Sequence, residues 1–159
     1  MAALLFCSFT LVSQAQTIAH ADIEDISQAM PEFKQVRSEL EIFQKQLTNE
    51  LEMDELKLKQ YVEKVQAQAQ DMTPRQQQEA EAKLQKMQQD LQAKLQESEK
   101  KLMDKEAELS KPLFDKLNAA IKAVAEANKF TYIIDKKLLL YSEGGTDATA
   151  KIKTQLGIQ

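Results

Sequence analysis

Over most of the chain the apolar positions follow a helical spacing, and only near the two ends does the spacing become strand-like. Between residues 32 and 111 they recur at steps of three, four and eleven residues, which keeps them on one side of a helix. An eleven-residue step is close to 3.67 residues per turn, so we predict nearly straight or weakly right-handed helices. The predicted seam consists of Leu40, Phe43, Leu47, Leu51, Leu58, Val62, Val65, Ala69, Met72, Ala80, Leu84, Met87, Leu91, Leu95, Leu102 and Leu109.

One short segment, 71–75, can reverse the chain within this long helical stretch. Thr73 can cap a following helix, and Pro74 suits the first helical position because its φ is fixed. Gln76 is placed to complete a capping box with Thr73. The sequence therefore predicts an antiparallel helical hairpin over 32–111, with its tip near 71–75.

The segments on either side of the hairpin have mixed patterns. Residues 17–23, 130–135 and 138–141 are typical of short strands. About three short strands leave exposed sheet edges, and joining strands from several chains would remove those edges. We therefore predict a mostly α-helical protein with a small β body that oligomerisation completes.

Helical patterns accompany these strands. We expect a helix from Ile23 to about Met30, and another that continues past Pro112 to about Asn128. Thr146 or Asp147 can cap a last short helix that ends before Gly157.

The prolines mark the predicted domain boundaries. Pro31 suits a new first turn, and beyond Pro112 the apolar face rotates relative to the seam. We predict a discontinuous body from 17–31 and 112–159, an arm from 32–111, and hinges at the two prolines.

The first sixteen residues have the features of a secretory signal peptide. A short apolar run over 2–12 precedes Ser13-Gln14-Ala15, so we expect cleavage near Ala15 or Gln16. The run is too short to span a bilayer, which needs roughly 20 residues. A buried N-terminal helix or strand is the alternative. We expect a periplasmic mature chain without Cys7 and without stable membrane insertion.

Composition and charge exclude several classes of function. The chain has three glycines and the first is Gly144, which argues against a glycine-rich phosphate loop. With 21 basic and 25 acidic residues the net charge is −4, so no nucleic acid partner is expected. Cys7 and His20 are the single residues of their types. We therefore predict that the chain is not an enzyme and needs no cofactor or metal.

A small acidic cluster is the remaining candidate for metal chemistry. His20, Asp22, Glu24 and Asp25 lie close together in sequence, and such groups can ligate metals. Their place between a strand and a helix start favours capping and surface roles instead.

Blocks on both sides of the arm carry a family resemblance. They are Asp-Ile-Ser-Gln-Ala-Met-Pro-Glu-Phe-Lys at 25–34, Leu-Phe-Asp-Lys-Leu-Asn-Ala-Ala-Ile-Lys-Ala-Val-Ala at 113–125, Phe-Thr-Tyr-Ile-Ile-Asp at 130–135, and the pairs Leu140-Tyr141 and Thr146-Asp147. In this order they resemble the OmpH-like (Skp) family of periplasmic chaperones, over about residues 17–159.

The resemblance implies a homotrimer whose strands build a small β-barrel body, with three hairpin arms around a cavity. It implies an ATP-independent holdase that binds unfolded outer-membrane proteins, prevents their aggregation and passes them toward the outer membrane. The family's best-known member is strongly basic, whereas residues 32–111 here carry 14 basic and 17 acidic side chains, so no lipopolysaccharide site is carried over. The alternative is a structural coiled-coil envelope protein that binds no client.

Several apolar side chains are candidates for client and subunit contacts. Ile42, Met53 and Leu56 face away from the seam, where they could equally be scattered surface residues. Met72 and Met87 could equally serve the seam, and Tyr61 could pack at its edge. The client-contact candidates are Ile42, Met53, Leu56, Tyr61, Met72, Met87 and Met103. The candidates for the trimer body are Ile18, Ile23, Ile133, Leu139 and Tyr141.

Overall fold

A computed structural model describes residues 17–158. The predicted signal peptide at 1–16, including Cys7, lies outside the described residues. The described chain is mainly helical with a small sheet. Its elements are β1 (Ile18–Ala21), α1 (Ile23–Ala29), α2 (Pro31–Gln68), α3 (Pro74–Asn128), β2 (Tyr132–Asp135), a 3-10 turn (Lys136–Leu138), β3 (Thr146–Asp147) and α4 (Thr149–Leu156).

Each long helix begins at a proline, and the second is also preceded by a capping box. Pro31 is the first residue of α2, and Pro74 is the first residue of α3. The backbone N–H of Thr73 donates to Gln76 Oε1 at 2.9 Å, and the backbone N–H of Gln76 donates to Thr73 Oγ1 at 3.4 Å. This reciprocal pair is the predicted capping box, and it confirms the reversal before Pro74.

The chain divides into two compact units. One, the hairpin unit, comprises Met30–Lys116 and so contains α2 and most of α3. The other, the sheet unit, comprises the described residues up to Ala29 together with those from Leu117 onward.

Three parallel strands form the sheet, in the order β2-β1-β3. The central strand β1 pairs Ile18 with Tyr132 and His20 with both Ile134 and Asp147. Because β1 lies between two neighbours, β2 and β3 are the outer strands of the described sheet.

The core of the sheet unit is small and built largely from alanine and isoleucine. Ile26 of α1 and Ile152 of α4 are fully buried, and α1 contacts α4. The other buried members are Ala19, Ala21, Leu117, Ala120, Val124 and Ala148. Alanines on β1 let the helices approach the strand closely, so few large side chains suffice to fill the interior.

The predicted strand at 138–141 is wrong. After β2 the chain enters the 3-10 turn, where the Asp135 carboxylate accepts the backbone N–H of Lys137 at 3.1 Å. A two-residue hairpin at Lys136 and Lys137 would need positive φ at one or both of these positions, which lysine does not favour. The third strand forms at Thr146–Asp147 instead.

The start of the last helix also differs from the prediction. Thr146 and Asp147 belong to β3, and Ala148 is the residue that precedes α4. The carboxylate of Asp147 still accepts the backbone N–H of Thr149 at 2.8 Å, which supports the first turn of α4. At the other end Gly157 has φ of 73°, the left-handed conformation that ends a helix, as predicted.

Truncating Ile152 to alanine should destabilise the protein because few large side chains fill this core. We expect Ile152→Ala to lower the free energy of unfolding by about 2–5 kcal/mol, measured by urea denaturation followed by far-UV circular dichroism. The matched control is Ile42→Ala, since Ile42 is 58 % exposed, and it should change the value by less than about 0.5 kcal/mol. Similar losses in both variants at equal protein concentration would contradict this description of the core.

Candidate functional site

The hairpin unit buries one narrow apolar seam between its two long helices. Leu47 and Ala80 are buried, and the other predicted seam residues are partly buried except Ala69 and Leu95, which are exposed. Burial therefore confirms most of the predicted seam. Since each helix turns only one stripe inward, most of its surface faces solvent.

The candidate client contacts occupy two kinds of position. Ile42, Met53, Leu56 and Met103 are 58 %, 60 %, 54 % and 64 % exposed. For the first three, this exposure agrees with the predicted orientation away from the seam.

The other three candidates are partly buried near the tip. Tyr61 lines one shallow groove together with Met72 and a neighbouring groove together with Met87. The structure thus brings these three together and leaves Ile42, Met53 and Leu56 on open helix surface.

Lysines of α3 reach across to α2 along one side of the seam, at eleven-residue steps. Lys94 Nζ lies 2.7 Å from Asp54 Oδ2 and 3.5 Å from Glu50 Oε2. Lys105 Nζ lies 3.3 Å from Glu39 Oε1, and Lys83 Nζ lies 4.6 Å from the centre of the Tyr61 ring. We call this side of the hairpin unit the lysine rim, and its members are Lys83, Lys94, Lys105, Glu39, Glu50, Asp54 and Tyr61.

Asp54 is a polar residue at a seam position. It stands eleven residues from both Phe43 and Val65, which are seam residues. Its carboxylate accepts hydrogen bonds from Lys57 at 2.6 Å and Lys94 at 2.7 Å. These bonds favour the ionised form and lower the pKa of Asp54 from 3.8 to about 2.

The pKa of Lys94 shifts in the opposite direction. The hydrogen bond to Asp54, with the further charge of Glu50, raises the pKa of Lys94. The lysine rim was not predicted from the sequence. The eleven-residue step, applied to charged as well as apolar residues, was the signal that could have found it.

The opposite side of the seam carries two apolar grooves. The larger is about 700 Å³ and is lined by Phe33, Val36, Leu40, Leu102 and Phe114, with Arg37, Glu41, Gln44, Glu106 and Ser110. The smaller is about 240 Å³ and is lined by Leu51, Leu58, Leu91 and Leu95, with Glu55, Gln88 and Gln92. We call them the Phe33 groove and the Leu51 groove, and together the open rim.

Helix geometry separates the two rims. At about 100° per residue, Glu55 of the open rim lies about 140° around α2 from Glu50 of the lysine rim. The same five-residue offset separates Gln44 from Glu39. The open rim was not predicted, because Phe33 and Phe114 lie outside the predicted seam.

Large apolar side chains are also exposed on the sheet unit. Of the trimer-body candidates, Ile18 is 51 % and Tyr141 is 75 % exposed, while Ile23, Ile133 and Leu139 are partly buried. Ile23 and Ile133 pack against the core of the sheet unit. Further exposed apolar residues are Tyr132, Leu138 and Leu140.

The two hinge candidates have different surroundings. Pro31 begins α2, directly after the buried Met30. Pro112 lies inside α3, where it has no N–H to donate to the carbonyl of Glu108. The helix nevertheless continues to Asn128.

The acidic cluster near His20 serves helix capping and ion pairs. The Asp22 carboxylate accepts the backbone N–H of Asp25 at 2.9 Å, while Glu24 pairs with Lys137 and Asp25 pairs with Lys153. His20 is buried in β1, with Nε2 3.8 Å from Asp147 Oδ2. Across residues 17–158 no group of three or more His, Cys, Asp or Glu is arranged to hold a metal ion.

The helices of the described chain were also tested as membrane spans. Within residues 17–158, none combines the length and the apolar character that crossing a bilayer requires.

Comparison with known proteins identifies a family and a shared fold. A family model described as outer membrane protein (OmpH-like) matches residues 17–156. A crystal structure of a candidate outer membrane chaperone (OmpH-like) from Caulobacter crescentus CB15 superposes with a TM-score of 0.76 at 18 % identity. The match covers 96 % of this chain and 90 % of that one, so the fold is shared. No curated protein matches the chain significantly.

Replacing Asp54 by asparagine should destabilise the hairpin unit in a pH-dependent way. Because its folded-state pKa is lowered, the contribution of Asp54 is present above about pH 4 and is lost as the pH falls through about 2. We expect Asp54→Asn to lower the melting temperature at pH 7, with the difference from the unchanged chain shrinking toward zero at pH 2.

Far-UV circular dichroism at both pH values measures this difference. Asp90→Asn, at an exposed position of α3, is the control and should have little effect at either pH. Equal effects of the two substitutions, or an Asp54→Asn effect that persists at pH 2, would contradict the assignment.

Proposed function

Because the chain belongs to the OmpH-like outer membrane protein family, we propose that it is an ATP-independent holdase for unfolded outer-membrane proteins. The family is one of chaperones rather than enzymes. In this proposal the chain works in the periplasm, after removal of a signal peptide at 1–16. It binds its clients in a cavity between hairpin arms, prevents their aggregation and passes them toward the outer membrane.

The observation that carries this proposal is the exposed apolar surface of the hairpin unit. Ile42, Met53, Leu56 and Met103 are more than half exposed on helices that are otherwise rich in Lys, Glu and Gln. An unfolded barrel protein presents alternating apolar residues and unpaired strand edges, which aggregate unless they are covered. Scattered apolar contacts on a polar surface cover them loosely and reversibly.

Weak contacts are sufficient for a holdase because they add up. Each methionine or leucine contact need contribute no more than about 1 kcal/mol when several arms engage one client together. Methionine suits this role, since its flexible thioether adapts to many partners. Tyr61, Met72 and Met87 are partly buried near the tip and offer a second set of apolar contacts.

We propose further that the sheet unit assembles three copies into a β-barrel body. β2 and β3 are outer strands of the described sheet, and each leaves an edge that another chain can pair with. Beside them Leu138, Leu140 and Tyr141 are 77 %, 106 % and 75 % exposed. Residues 138–141 have the composition of a strand, and a partner chain would supply the pairing that they lack within one chain.

Arm movement is a related proposal. Pro31 and Pro112 lie near the two ends of the hairpin unit, and the long helices between them contain no glycine. We assign flexing of the arm to these prolines rather than to its middle.

A structural coiled-coil protein that binds no client is the second candidate. The regular seam and the cross-helix lysines favour it as much as they favour a chaperone arm. Client binding separates the two candidates.

Removing the exposed apolar side chains of α2 should weaken client protection. We expect the combined substitution Ile42→Ser, Met53→Ser and Leu56→Ser to reduce suppression of aggregation at least about threefold, because each loss removes one weak contact. The measurement is light scattering as a urea-unfolded outer-membrane barrel protein is diluted into the full chain without ATP.

A matched variant tests whether the apolar character matters. Gln46→Ser, Asn49→Ser and Gln66→Ser change three exposed polar residues of the same helix and should leave protection intact. Unchanged protection in the apolar triple variant would remove this face from the contact surface. If the unsubstituted chain gives no protection, the holdase proposal itself fails.

Placing a charge in the exposed segment after β2 should break the trimer. Leu140 has its whole side chain in solvent, so Leu140→Lys should leave the single chain folded while charging the proposed subunit contact. We expect sedimentation equilibrium to give a trimer for the unchanged chain and mainly monomer for Leu140→Lys.

Leu56→Lys is the control, because Leu56 is 54 % exposed in the hairpin unit, and it should stay trimeric. A trimer that survives Leu140→Lys, or an unchanged chain that is monomeric at every concentration, would refute this subunit contact.

A further inference from the structure

The two sides of the hairpin seam differ, and the difference indicates an additional place where a client binds and the kind of segment that this place prefers. We propose that the open rim is a docking surface for extended client segments in which basic residues flank apolar ones. This inference rests on the proposed holdase function and names the chemistry of the segment that the arm selects.

Around Lys94 and Lys105 the lysine rim is unfavourable for apolar segments, because its charged groups already pair with each other. The Lys94 ammonium group is held by Asp54 and Glu50, and Lys105 is held by Glu39. An apolar segment binding there would cover these partly exposed charged groups and remove them from water, which opposes binding. Near the tip Lys83 lies over one face of the Tyr61 ring, so Tyr61 is only partly available to a client.

The open rim has the opposite character. Its floor is formed by seam leucines, and Phe114 and Leu95 at its walls are 56 % and 41 % exposed. Binding a client side chain there would cover apolar surface that already faces solvent, which favours association. The two grooves thus offer apolar contact without the loss of an ion pair.

The charges on the open rim select the flanks of the segment. Three acidic residues line the two grooves, Glu41, Glu106 and Glu55, whereas Arg37 is the single basic residue that lines them. A segment with lysine or arginine beside its apolar residues is complementary to these carboxylates, whereas an acidic segment is repelled. The net charge of the chain, −4, acts in the same direction.

The spacing of the grooves sets the length of the segment. Leu40 in the Phe33 groove and Leu51 in the Leu51 groove are eleven residues apart on α2, or about 16 Å along the helix. An extended chain spans that distance with about five residues. One segment of about ten residues therefore reaches both grooves.

Two synthetic peptides test this preference directly on the full chain. Both have about ten residues with the same alternating apolar side chains, and they carry either lysine or glutamate at the flanking positions. We expect fluorescence anisotropy at low salt to give at least about fivefold tighter binding of the lysine peptide, with the difference shrinking at high salt.

Charge reversal then locates the site. The double substitution Glu41→Lys and Glu106→Lys should abolish or invert the preference. The control pair, Glu63→Lys and Glu81→Lys, makes the same change in net charge at exposed positions that line neither groove, and it should keep most of the preference. Equal loss in both pairs would show a general charge effect and overturn the proposal.

Other outcomes are equally decisive. Equal binding of the two peptides by the unsubstituted chain overturns the inference even if a variant fails to fold. A change of oligomeric state in Glu41→Lys with Glu106→Lys, with peptide binding unaltered, makes the open rim a subunit contact instead. Suppressed aggregation of a barrel protein without any peptide preference leaves the holdase function standing and removes only this inference.

Discussion

Two long helices packed against each other can bury only one stripe each, and this constraint governs the hairpin unit. Leu47 and Ala80 are buried in that stripe, and most of the remaining seam residues are partly buried. No glycine interrupts either helix, so each stays continuous over many turns. A hairpin of this kind has a large exposed surface and a thin core. Such a shape encloses little volume but can contact another chain along its whole length.

The eleven-residue step organises both the stability and the sidedness of this hairpin. It brings leucines to the seam and lysines to one rim, where they pair with Glu39, Glu50 and Asp54. The other rim keeps its apolar grooves open. The sheet unit has a comparable imbalance, because a small alanine-rich core holds three parallel strands while Leu138, Leu140 and Tyr141 remain in solvent. Both units therefore carry apolar surface that a single chain leaves uncovered.

Sequence patterns were sufficient for the features that depend on local chemistry. The seam, the Thr73–Gln76 capping box and the Gly157 helix end follow from neighbours a few residues apart, and the structure confirms them. The segment 138–141 was predicted wrongly because strand formation depends on a partner edge, which composition does not reveal. The lysine rim and the Phe33 groove were missed because they depend on which residues of α2 and α3 face each other across the seam.

Native mass spectrometry of residues 16–159 tests whether the chain forms a trimer that binds an unfolded client. The chain is measured alone and after a urea-unfolded outer-membrane barrel protein has been diluted into it. We expect a trimer that takes up one client molecule without ATP. A monomer or dimer that ignores the client would contradict the account and leave a structural helical hairpin as the better description.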